Sequence, residues 1–475
     1  MLDMSELKVL SAKGTAVEES AVQQLKSSLR GDLLRPGDSG YEDARKIWNG
    51  MIDKHPALIA RCSGTADVIT AVNFARDNEL LVAVRGGGHN VAGKAVCDGG
   101  IVIDLSQMKG IRVDPARGVV RAQPGLTWGE FDHETQAFGL ALAGGTQSTT
   151  GIAGFTLGGG FGWLSRKYGL TCDSLLSADV VTADGRFLTA SPTENADLFW
   201  GIRGGGGNFG VVTSFEFKLY PLGPVLGGMV LYPLAKAKSV LRFYRDYIAT
   251  APEELGTFIV SLTAPQAPHL PERIHDTPVI AIVACYIGPI EAGERILEPI
   301  RKFGPPEADL IGEMPYTSMQ KIMDAANPPG RQNYWKAEYV KGLDDDAIET
   351  VAAYVARQES PMTKVLFAQL GGAISRVAED ETAYTHRSAP FVVDIIAQWP
   401  DPKDSDRNIA WARDFWTAMR PFSAGGVYVN FLSDEGEERV KDAYTPKAYE
   451  RLVALKNKYD PTNFFRLNQN IKPTV

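Results

Sequence analysis

Residues 80–90 read LLVAVRGGGHN, an apolar run followed by an arginine, three consecutive glycines, a histidine and an asparagine. The apolar run from Leu80 to Val84 predicts a short strand that is covered on both faces. Adjacent glycines cost backbone entropy on folding, and they are useful where a chain turns tightly and brings its N–H groups close to an anion. Arg85 adds a permanent positive charge of the kind that binds phosphate. The stretch therefore predicts a pyrophosphate cradle whose loop presents His89.

A simpler interpretation of this stretch stays open. A strand followed by glycines is often only a turn, and a single histidine often has a structural role. Neither of the common phosphate-binding fingerprints is present, because no Gly-Lys-Ser/Thr follows and the glycines are contiguous rather than spaced as GxGxxG. The loop alone does not decide between a ligand site and a turn.

The composition is that of an ordinary globular protein. The chain has 475 residues, 44% hydrophobic and 22% charged, which is enough for roughly two to four domains. A net charge of −8 argues against nucleic acid as the main partner. The four cysteines form no CxxC pair, so we expect buried thiols and no metal site. Neither a signal peptide nor an apolar run of about 18 residues is visible, which predicts a soluble, cytoplasmic protein without a membrane partner.

The first 220 residues are predicted to alternate strands and helices. A strand, a helix and the 80–84 strand form a βαβ unit that leads into the glycine loop. Strands are predicted at 58–62, 100–105, 118–122, 175–182 and 186–189, and helices at 17–29, 64–78, 126–139 and 198–203.

Two further glycine clusters follow the first. Residues 141–162, ALAGGTQSTTGIAGFTLGGGFG, contain eight glycines, and residues 204–209 read GGGGNF. The first of these is either a flexible linker or a surface that a ligand covers, and its interspersed apolar residues favour the ligand-covered surface. Three clusters, each near a strand, predict one large ligand that contacts all of them.

Beyond residue 222 the glycine clusters become rare. Alternating strands and helices there predict an α+β substrate domain, a sheet with helices on one face. Strands are predicted at 225–232, 258–262, 279–286, 364–370 and 391–399, and helices at 236–249, 292–302, 344–357 and 409–419.

Four stretches in order resemble a known family: VRGGGHN at 84–90, GFTLGGGFGWLSRKYGLTCD at 154–173, GGGGNFGVVT at 204–213 and YDPTNFFRLNQNI at 459–471. The chain resembles the FAD-linked oxidases of the vanillyl-alcohol oxidase superfamily, and within it the bacterial berberine-bridge-enzyme-like branch. The resemblance covers essentially the whole chain. It implies an α+β fold with a PCMH-type FAD-binding domain of two α/β subdomains at 1–222. It further implies a substrate-binding domain with an antiparallel sheet at 223–425, and a tail, 426–475, that returns to the FAD domain.

The resemblance also implies how FAD is held. In this family the histidine of the RGGGHN-like loop is attached to the flavin 8α-methyl group, and His89 matches it. Many members of the branch carry a second link from a cysteine where Gln147 stands here, and Cys172 belongs to another motif, so we expect a single covalent link at His89. Phe155 stands where the family often has a histidine, which leaves the group that stabilises reduced flavin unnamed. The implied flavin contacts are Arg85, Gly86, Gly87, Gly88, His89, Asn90, Gly145, Thr146, Gln147, Thr149, Gly151, Gly154, Gly159, Gly160, Gly210, Val211, Asn468 and Asn470.

Three residues are candidates for chemistry beside the flavin. GGVYVNF at 425–431 resembles the family strand that supplies a catalytic tyrosine, here Tyr428, and on a strand Asn430 would share its face. A tyrosine, with an ordinary pKa of about 10, needs help from a neighbouring cation or the flavin to act as a base, and packing is its alternative role. Lys336 matches a segment that faces the flavin in bacterial relatives, or else it forms a structural ion pair. Arg376 stands near the position of a glutamate in the plant enzyme, where substrate binding and a surface salt bridge are both open.

The implied activity is that of an oxidase. It would take a hydride from a C–H bond next to O or N of a small organic substrate (a secondary metabolite, alcohol, amine or sugar) and pass the electrons through FAD to O2, which gives H2O2. The alternatives are an FAD dehydrogenase with another acceptor and a flavin-retaining binding protein with little turnover. The sequence leaves a homo-oligomer open.

Overall fold

The computed structural model describes residues 9–10 and 13–475. The predicted absence of a signal peptide concerns the first residues of the chain. Of these, residues 1–8, 11 and 12 lie outside the described part. Within the described part, no helix combines the length and the apolar character needed to cross a membrane. The four cysteines are buried and unpaired.

A four-stranded sheet carries the opening stretch. Its strand order is β1-β2-β4-β3, and β4 lies between β2 and β3 and parallel to both, so the predicted βαβ unit has a third strand inserted between its two. The strand of the opening stretch begins at Val82 rather than Leu80, because Glu79 has a φ of 52° and the Leu80 N–H still bonds back to the preceding helix. The elements of this part are α1 (Glu19–Ser28), β1 (Asp32–Leu34), α2 (Tyr41–Arg45), β2 (Leu58–Arg61), α3 (Thr65–Asp77), β3 (Val82–Arg85) and β4 (Ile101–Asp104).

A five-stranded antiparallel sheet follows, with the order β5-β6-β10-β8-β9. The glycine-rich run 141–162 is not a linker, because its middle forms the short helix α5 and most of the run is buried. The elements are β5 (Ile111–Asp114), β6 (Val119–Ala122), α4 (Trp128–Gln136), β7 (Leu140–Ala141), α5 (Ile152–Leu157), α6 (Ser165–Tyr168), β8 (Leu175–Val181), β9 (Phe187–Ala190), α7 (Ala196–Gly201), β10 (Val211–Lys218) and β11 (Tyr220–Pro221).

The central part of the chain builds an eight-stranded antiparallel sheet. Its order is β15-β12-β14-β13-β18-β19-β17, and β16 also pairs with β12. The elements are β12 (Val225–Pro233), α8 (Ala237–Ile248), β13 (Leu255–Thr263), β14 (Pro278–Tyr286), α9 (Ile290–Lys302), β15 (Ala308–Asp309), β16 (Gly312–Met314), α10 (Tyr316–Met319), β17 (Gln332–Val340), α11 (Asp345–Val355), β18 (Lys364–Gln369), α12 (Ala373–Arg376), β19 (Phe391–Trp399) and α13 (Ser405–Met419), followed by α14 (Glu437–Asp442) and α15 (Pro446–Tyr459) in the tail.

The two faces of this central sheet have different neighbours. The long helices α8, α9, α11 and α13 pack on one face and form a hydrophobic core with it. The opposite face packs against residues of the 141–172 region, such as Phe161 and Trp163, and against Tyr428. The sheet therefore turns one side toward the glycine-rich part of the molecule.

The prediction that residues 425–431 form a strand is wrong. Gly425 and Gly426 have φ values of 85° and 81°, which turn the chain. Val429–Phe431 then forms one turn of 3₁₀-helix that begins after Tyr428. The turn nevertheless brings the side chains of Tyr428 and Asn430 together, as described below.

A set of hydrogen bonds, which we call the clasp, joins residues 48–50 to residues 327–333 of the central part. The N–H of Gly50 bonds the Arg331 carbonyl at 2.8 Å, and the N–H of Gly330 bonds the Trp48 carbonyl at 3.0 Å. The Asn49 side-chain amide donates to the Asn333 carbonyl at 3.0 Å and to that of Val91 at 2.8 Å. The clasp thus fixes the loop that follows the first glycine cluster onto the central sheet.

Candidate active site

Two adjoining cavities lie where the three glycine clusters meet. Their volumes are about 170 and 220 Å³, and both open to solvent. Six residues line both cavities and mark their junction: Val84, Gly86, Asn90, Ala95, Gly154 and Asn430. One long ligand can therefore occupy both.

The first cavity has walls of glycine and apolar residues. Gly205, Gly206, Gly207 and Gly210 form one part of it, and the neighbouring Val211 contributes an apolar side chain. A side chain added at Gly207 would meet no protein atom within 4 Å, so this glycine borders open space. The third glycine cluster, like the first, contributes bare backbone to the cavity.

The backbone of the first glycine loop is free to bind an anion. None of the N–H groups of residues 86–90 donates a hydrogen bond within the part of the chain that the structure describes. The loop is half-buried, and a run of N–H groups without protein partners forms a concave anion site.

The predicted phosphate contact of Arg85 is wrong. Val82 and Val84 of β3 line the cavity. Because side chains alternate along a strand, Ala83 and Arg85 project to the other side. The Arg85 guanidinium donates to the Ala44 carbonyl instead. Arg85 therefore stabilises the glycine loop through its bond to Ala44, and the backbone N–H groups of the loop are the groups available to bind an anion.

His89 faces the second cavity. Its ring stacks on Trp48 with centroids 4.9 Å apart, and its Nε2 lies 3.0 Å from Thr149 Oγ1. Its Nδ1 has only a 3.5 Å contact with Thr150 Oγ1. Burial lowers the pKa of His89 to about 4, so the imidazole is neutral at physiological pH. A neutral, oriented ring with one weakly engaged nitrogen is suited to bond formation.

Several residues of the second glycine cluster line the second cavity, but the neighbouring Thr149 does not. Gly145, Thr146, Gln147, Gly151 and Gly154 line the second cavity, and Gly87 and Gly88 lie opposite in the same lining. Thr149 is exposed, contacts His89 and does not line the cavity, so its contact with the flavin stays a prediction.

Gly159 and Gly160 line neither cavity, and their contacts with the flavin stay predictions. Their φ values of 114° and 85° favour glycine, and a side chain on either would meet a neighbouring aromatic ring, that of Tyr384 or Phe155. They are glycines because the protein packs tightly around them.

Tyr428 and Asn430 lie together at the second cavity. The Tyr428 oxygen accepts the Gly160 N–H at 3.0 Å and the Asn430 side-chain N–H at 2.8 Å. Burial raises the pKa of Tyr428 well above its ordinary range, while these two donors act in the opposite direction. Two donors on one phenol oxygen are the arrangement that stabilises a phenolate.

The predicted role of Lys336 beside the flavin is contradicted by its position. Its neighbour Trp335 lines the second cavity, so Lys336 projects to the opposite face of β17. There its ammonium pairs with the buried Glu435 and lies 4.4 Å from the centre of the Trp416 ring. Lys336 therefore forms a structural ion pair, which is the alternative role that the sequence left open.

Arg376 forms an exposed ion pair with Glu253. It lies at the surface and lines neither cavity, so the salt-bridge alternative describes it.

An aromatic wall closes the second cavity on the side of the central sheet. Sequence patterns did not identify its members, because aromatic residues at strand spacing are indistinguishable from core. The aromatic members are Phe161, Phe258, Trp335 and Phe431, and Leu366 lines the same cavity. Trp48, which stacks on His89, was missed for the same reason.

The C-terminal tail completes the first cavity. Asn468 lines it beside Phe465 and Leu467, and its amide donates to the Phe465 carbonyl at 2.9 Å. Asn470 does not line either cavity.

The residues present fit FAD. The side-chain oxygens of Gln147 and Asn468 are buried, have no hydrogen-bond partner among the described residues, and belong to cavity-lining residues. Together with the free N–H groups of 86–90 they offer acceptors and donors for a large polar ligand with an anionic centre. His89 and Tyr428 would lie near the flavin ring, and the first cavity would hold the nucleotide half.

Comparisons with known proteins agree with this reading. The family model for an FAD-binding domain matches residues 56–191, and the model for berberine and berberine-like proteins matches residues 427–472. An FAD-linked oxidoreductase of Dictyostelium discoideum is 34% identical over 457 residues, which covers 95% of this chain and 97% of that protein. The (R)-6-hydroxynicotine oxidase of Paenarthrobacter nicotinovorans is 32% identical, with 94% and 97% covered.

Comparison with solved structures leads to the same group of proteins. The crystal structure of 6-hydroxy-D-nicotine oxidase from Arthrobacter nicotinovorans superposes with a TM-score of 0.84 at 31% identity, covering 94% of this chain and 98% of that one. The predicted α+β, PCMH-type fold is thereby confirmed. The chain belongs to the berberine-like family of FAD-linked oxidoreductases.

Proposed function

We propose that this protein is an oxidase that holds FAD through a single covalent bond at His89 and transfers electrons from a small organic substrate to O2. When bound, FAD accepts a hydride from a substrate C–H bond next to O or N and passes the two electrons to O2, which leaves as H2O2. The observation that carries the proposal is that His89 and Tyr428 line one cavity, continuous with the glycine-walled one.

The covalent bond joins an imidazole nitrogen of His89 to the 8α carbon of FAD. It replaces one C–H and one N–H bond, and the two protons and two electrons released reduce one O2 to H2O2. The stack on Trp48 and the bond to Thr149 hold the ring in place, and Nδ1 is the freer nitrogen. No second link is proposed, because Gln147 offers no nucleophile and the Cys172 thiol lines neither cavity.

Tyr428 acts as the phenolate: it first gives its own proton to solvent, and then accepts the substrate's O–H or N–H proton while the hydride leaves. The Gly160 N–H and the Asn430 amide stabilise the phenolate, which offsets part of the burial that raises its pKa. Asn430 is a positioning residue for this step.

We also propose the division of labour along the chain. Residues 1–222 bind the cofactor, residues 223–425 meet the substrate, and residues 426–475 return to the cofactor. The contacts of Phe464 and Phe465 with the core around β2–β4 support the return of the tail.

The test begins with purified protein precipitated in acid. Wild-type protein should retain yellow flavin in the pellet, and His89→Ala should release it to the supernatant. A conservative control is Cys172→Ser, which should keep its flavin bound. Flavin that stays attached in His89→Ala would show that another residue forms the link.

Peroxide formation separates this function from the alternatives. An oxidase whose flavin is bleached by a donor should release H2O2 on admission of air. Bleaching without peroxide, and fast reoxidation by an artificial acceptor, would identify a dehydrogenase. Retained flavin that no donor bleaches would identify a binding protein.

A further inference from the structure

Residues 323–327 form a turn that is fixed to the central sheet, and we call it the anchor turn. The N–H of Asn327 donates to the Asp324 carbonyl at 3.0 Å, which closes the turn. Lys364, the first residue of β18, donates to the Ala326 carbonyl at 2.8 Å. The anchor turn is therefore held by the sheet, and its two ends reach the two groups that contact the histidine of the first glycine loop.

One end of the anchor turn holds Trp48. The Trp48 indole N–H donates to the Asn327 carbonyl at 3.1 Å, and both residues are buried. The backbone N–H of Trp48 donates to the Gly88 carbonyl at 3.0 Å, and its ring stacks on that of His89 with centroids 4.9 Å apart. Asn327 therefore fixes the aromatic plane on which the His89 ring lies.

The other end of the anchor turn holds the hydrogen-bonding contact of His89. One Asp324 carboxylate oxygen accepts the backbone N–H of Ser148 at 2.9 Å, and the other accepts the Ser148 hydroxyl. The next residue, Thr149, places its Oγ1 3.0 Å from His89 Nε2. Hydrogen bonds to a carboxylate are stronger than those between neutral groups, so Asp324 anchors the backbone from which Thr149 projects.

These contacts determine where the imidazole lies and which of its nitrogens is free. A neutral imidazole carries a single N–H, so a Thr149 hydroxyl that accepts the Nε2 proton leaves the lone pair of Nδ1 available. Asp324 and Trp48 line neither cavity. They act on the position of the His89 ring from behind it.

We infer that Asp324 is a positioning residue for the covalent attachment of FAD to His89, because it holds one side of the ring's surroundings while the same turn holds Trp48 on the other. The attachment is the step described above. One N–C bond replaces one N–H and one C–H bond, and the two protons and two electrons released reduce one O2 to H2O2.

Orientation controls the rate of such a step. Bond formation needs the reacting atoms about 3–3.5 Å apart and aligned, and a displacement of about 1 Å can slow a reaction about 100-fold. Loss of the Asp324 carboxylate would free Ser148 and Thr149 and leave the stack on Trp48 in place. We therefore expect attachment to slow by about tenfold or more. Reversible binding of FAD should change little, because the free N–H groups of residues 86–90 are untouched.

The experiment compares the rate of attachment with the affinity for FAD. Full-length protein is produced in riboflavin-starved cells and mixed with FAD, and the flavin that stays in acid-precipitated protein is measured over time. Asp324→Ala should attach FAD about tenfold or more slowly than wild type. In a His89→Ala background the same substitution should leave the dissociation constant of FAD, measured by flavin fluorescence, within about twofold.

Two comparisons separate positioning from a general loss of structure. Asp324→Asn keeps two polar atoms for Ser148 and should restore much of the rate of attachment. The matched control is Asp98→Ala, since Asp98 also accepts the backbone N–H of a distant residue, His55, at 2.8 Å and lines neither cavity. This control should attach FAD at the wild-type rate.

A milder variant keeps the inference testable if Asp324→Ala does not fold. Ser148→Ala removes the hydroxyl bond to Asp324 and keeps the backbone bond. It should slow attachment by about fivefold, the effect of one ordinary hydrogen bond. An unchanged rate in Ser148→Ala, or in a folded Asp324→Ala, would overturn the inference.

The inference rests on the proposed covalent bond, and the two can fail separately. Wild-type protein that releases all its flavin in acid would remove the bond and, with it, this inference. Normal attachment in wild type with an equally fast Asp324→Ala would keep the bond and remove only the role of Asp324. A rate and a reversible affinity that fall together would show that Asp324 supports the cofactor site as a whole, which also contradicts the inference.

Discussion

Gly154 offers the sharpest test of the cofactor site. The protein leaves room for a side chain at this position, whereas a bound cofactor would not. It lies inside helix α5 and lines both cavities at their junction. A Cβ added there would meet no protein atom within 4 Å. Alanine is favoured over glycine in a helix by about 1 kcal/mol, so Gly154→Ala should leave the flavin-free protein as stable or slightly more stable.

The methyl group would instead occupy space that the cofactor needs. Overpacking costs about 1–3 kcal/mol, which corresponds to roughly 5–150-fold weaker binding. A covalent bond would mask such a loss, so the substitution belongs in a His89→Ala background, where we expect reversible binding.

The assay combines FAD titration by flavin fluorescence with thermal unfolding of the flavin-free protein. The matched control is Gly342→Ala, whose added Cβ also meets no atom within 4 Å and which lines neither cavity. We expect it to bind FAD as the parent does. If Gly154→Ala binds FAD as tightly as the parent and unfolds at the same temperature, the cofactor does not lie on this wall.

Three further outcomes are expected. Tyr428→Phe should slow anaerobic flavin reduction, followed by stopped-flow absorbance, by about 100-fold or more, because it removes the base; an unchanged rate would exclude Tyr428. Trp48→Ala should slow covalent attachment of added FAD, and Trp48→Phe should restore much of the rate because a ring again stacks on His89; equal rates for the two would exclude the stack. Burial raises the pKa of Asp132 above its ordinary 3.8, so the folded protein keeps a proton that the unfolded chain loses, and stability falls as pH rises above that value. The gain in melting temperature of Asp132→Asn over wild type should therefore grow from acidic to alkaline pH, and a constant difference would show an ionised Asp132.

Local sequence patterns predicted the parts of the site that are local in the chain. The βαβ unit and the glycine loop follow from an apolar run and consecutive glycines, and the loop carries its own free N–H groups. Gly154 and Gln147 were predicted through the resemblance of their stretches to the family. Predicting these segments does not require knowing which strands pair in the sheet.

The errors arose where the direction of a side chain decides its role. Arg85 and Lys336 stand beside cavity-lining residues, yet each projects to the other side of its strand. Register between distant strands depends on tertiary packing, which a single sequence does not specify.

The clasp between residues 48–50 and 327–333 has a consequence for how ligands come and go. A hinge motion that swung the central sheet away from the His89 loop would break the hydrogen bonds of the clasp, each worth about 1 kcal/mol, including the bond from the Trp48 indole N–H to the Asn327 carbonyl. Parting the two halves of the molecule is therefore an expensive way to exchange a substrate. We expect substrate and product to pass through the mouth of the cavity while the clasp stays shut, so turnover should survive a cross-link placed across it.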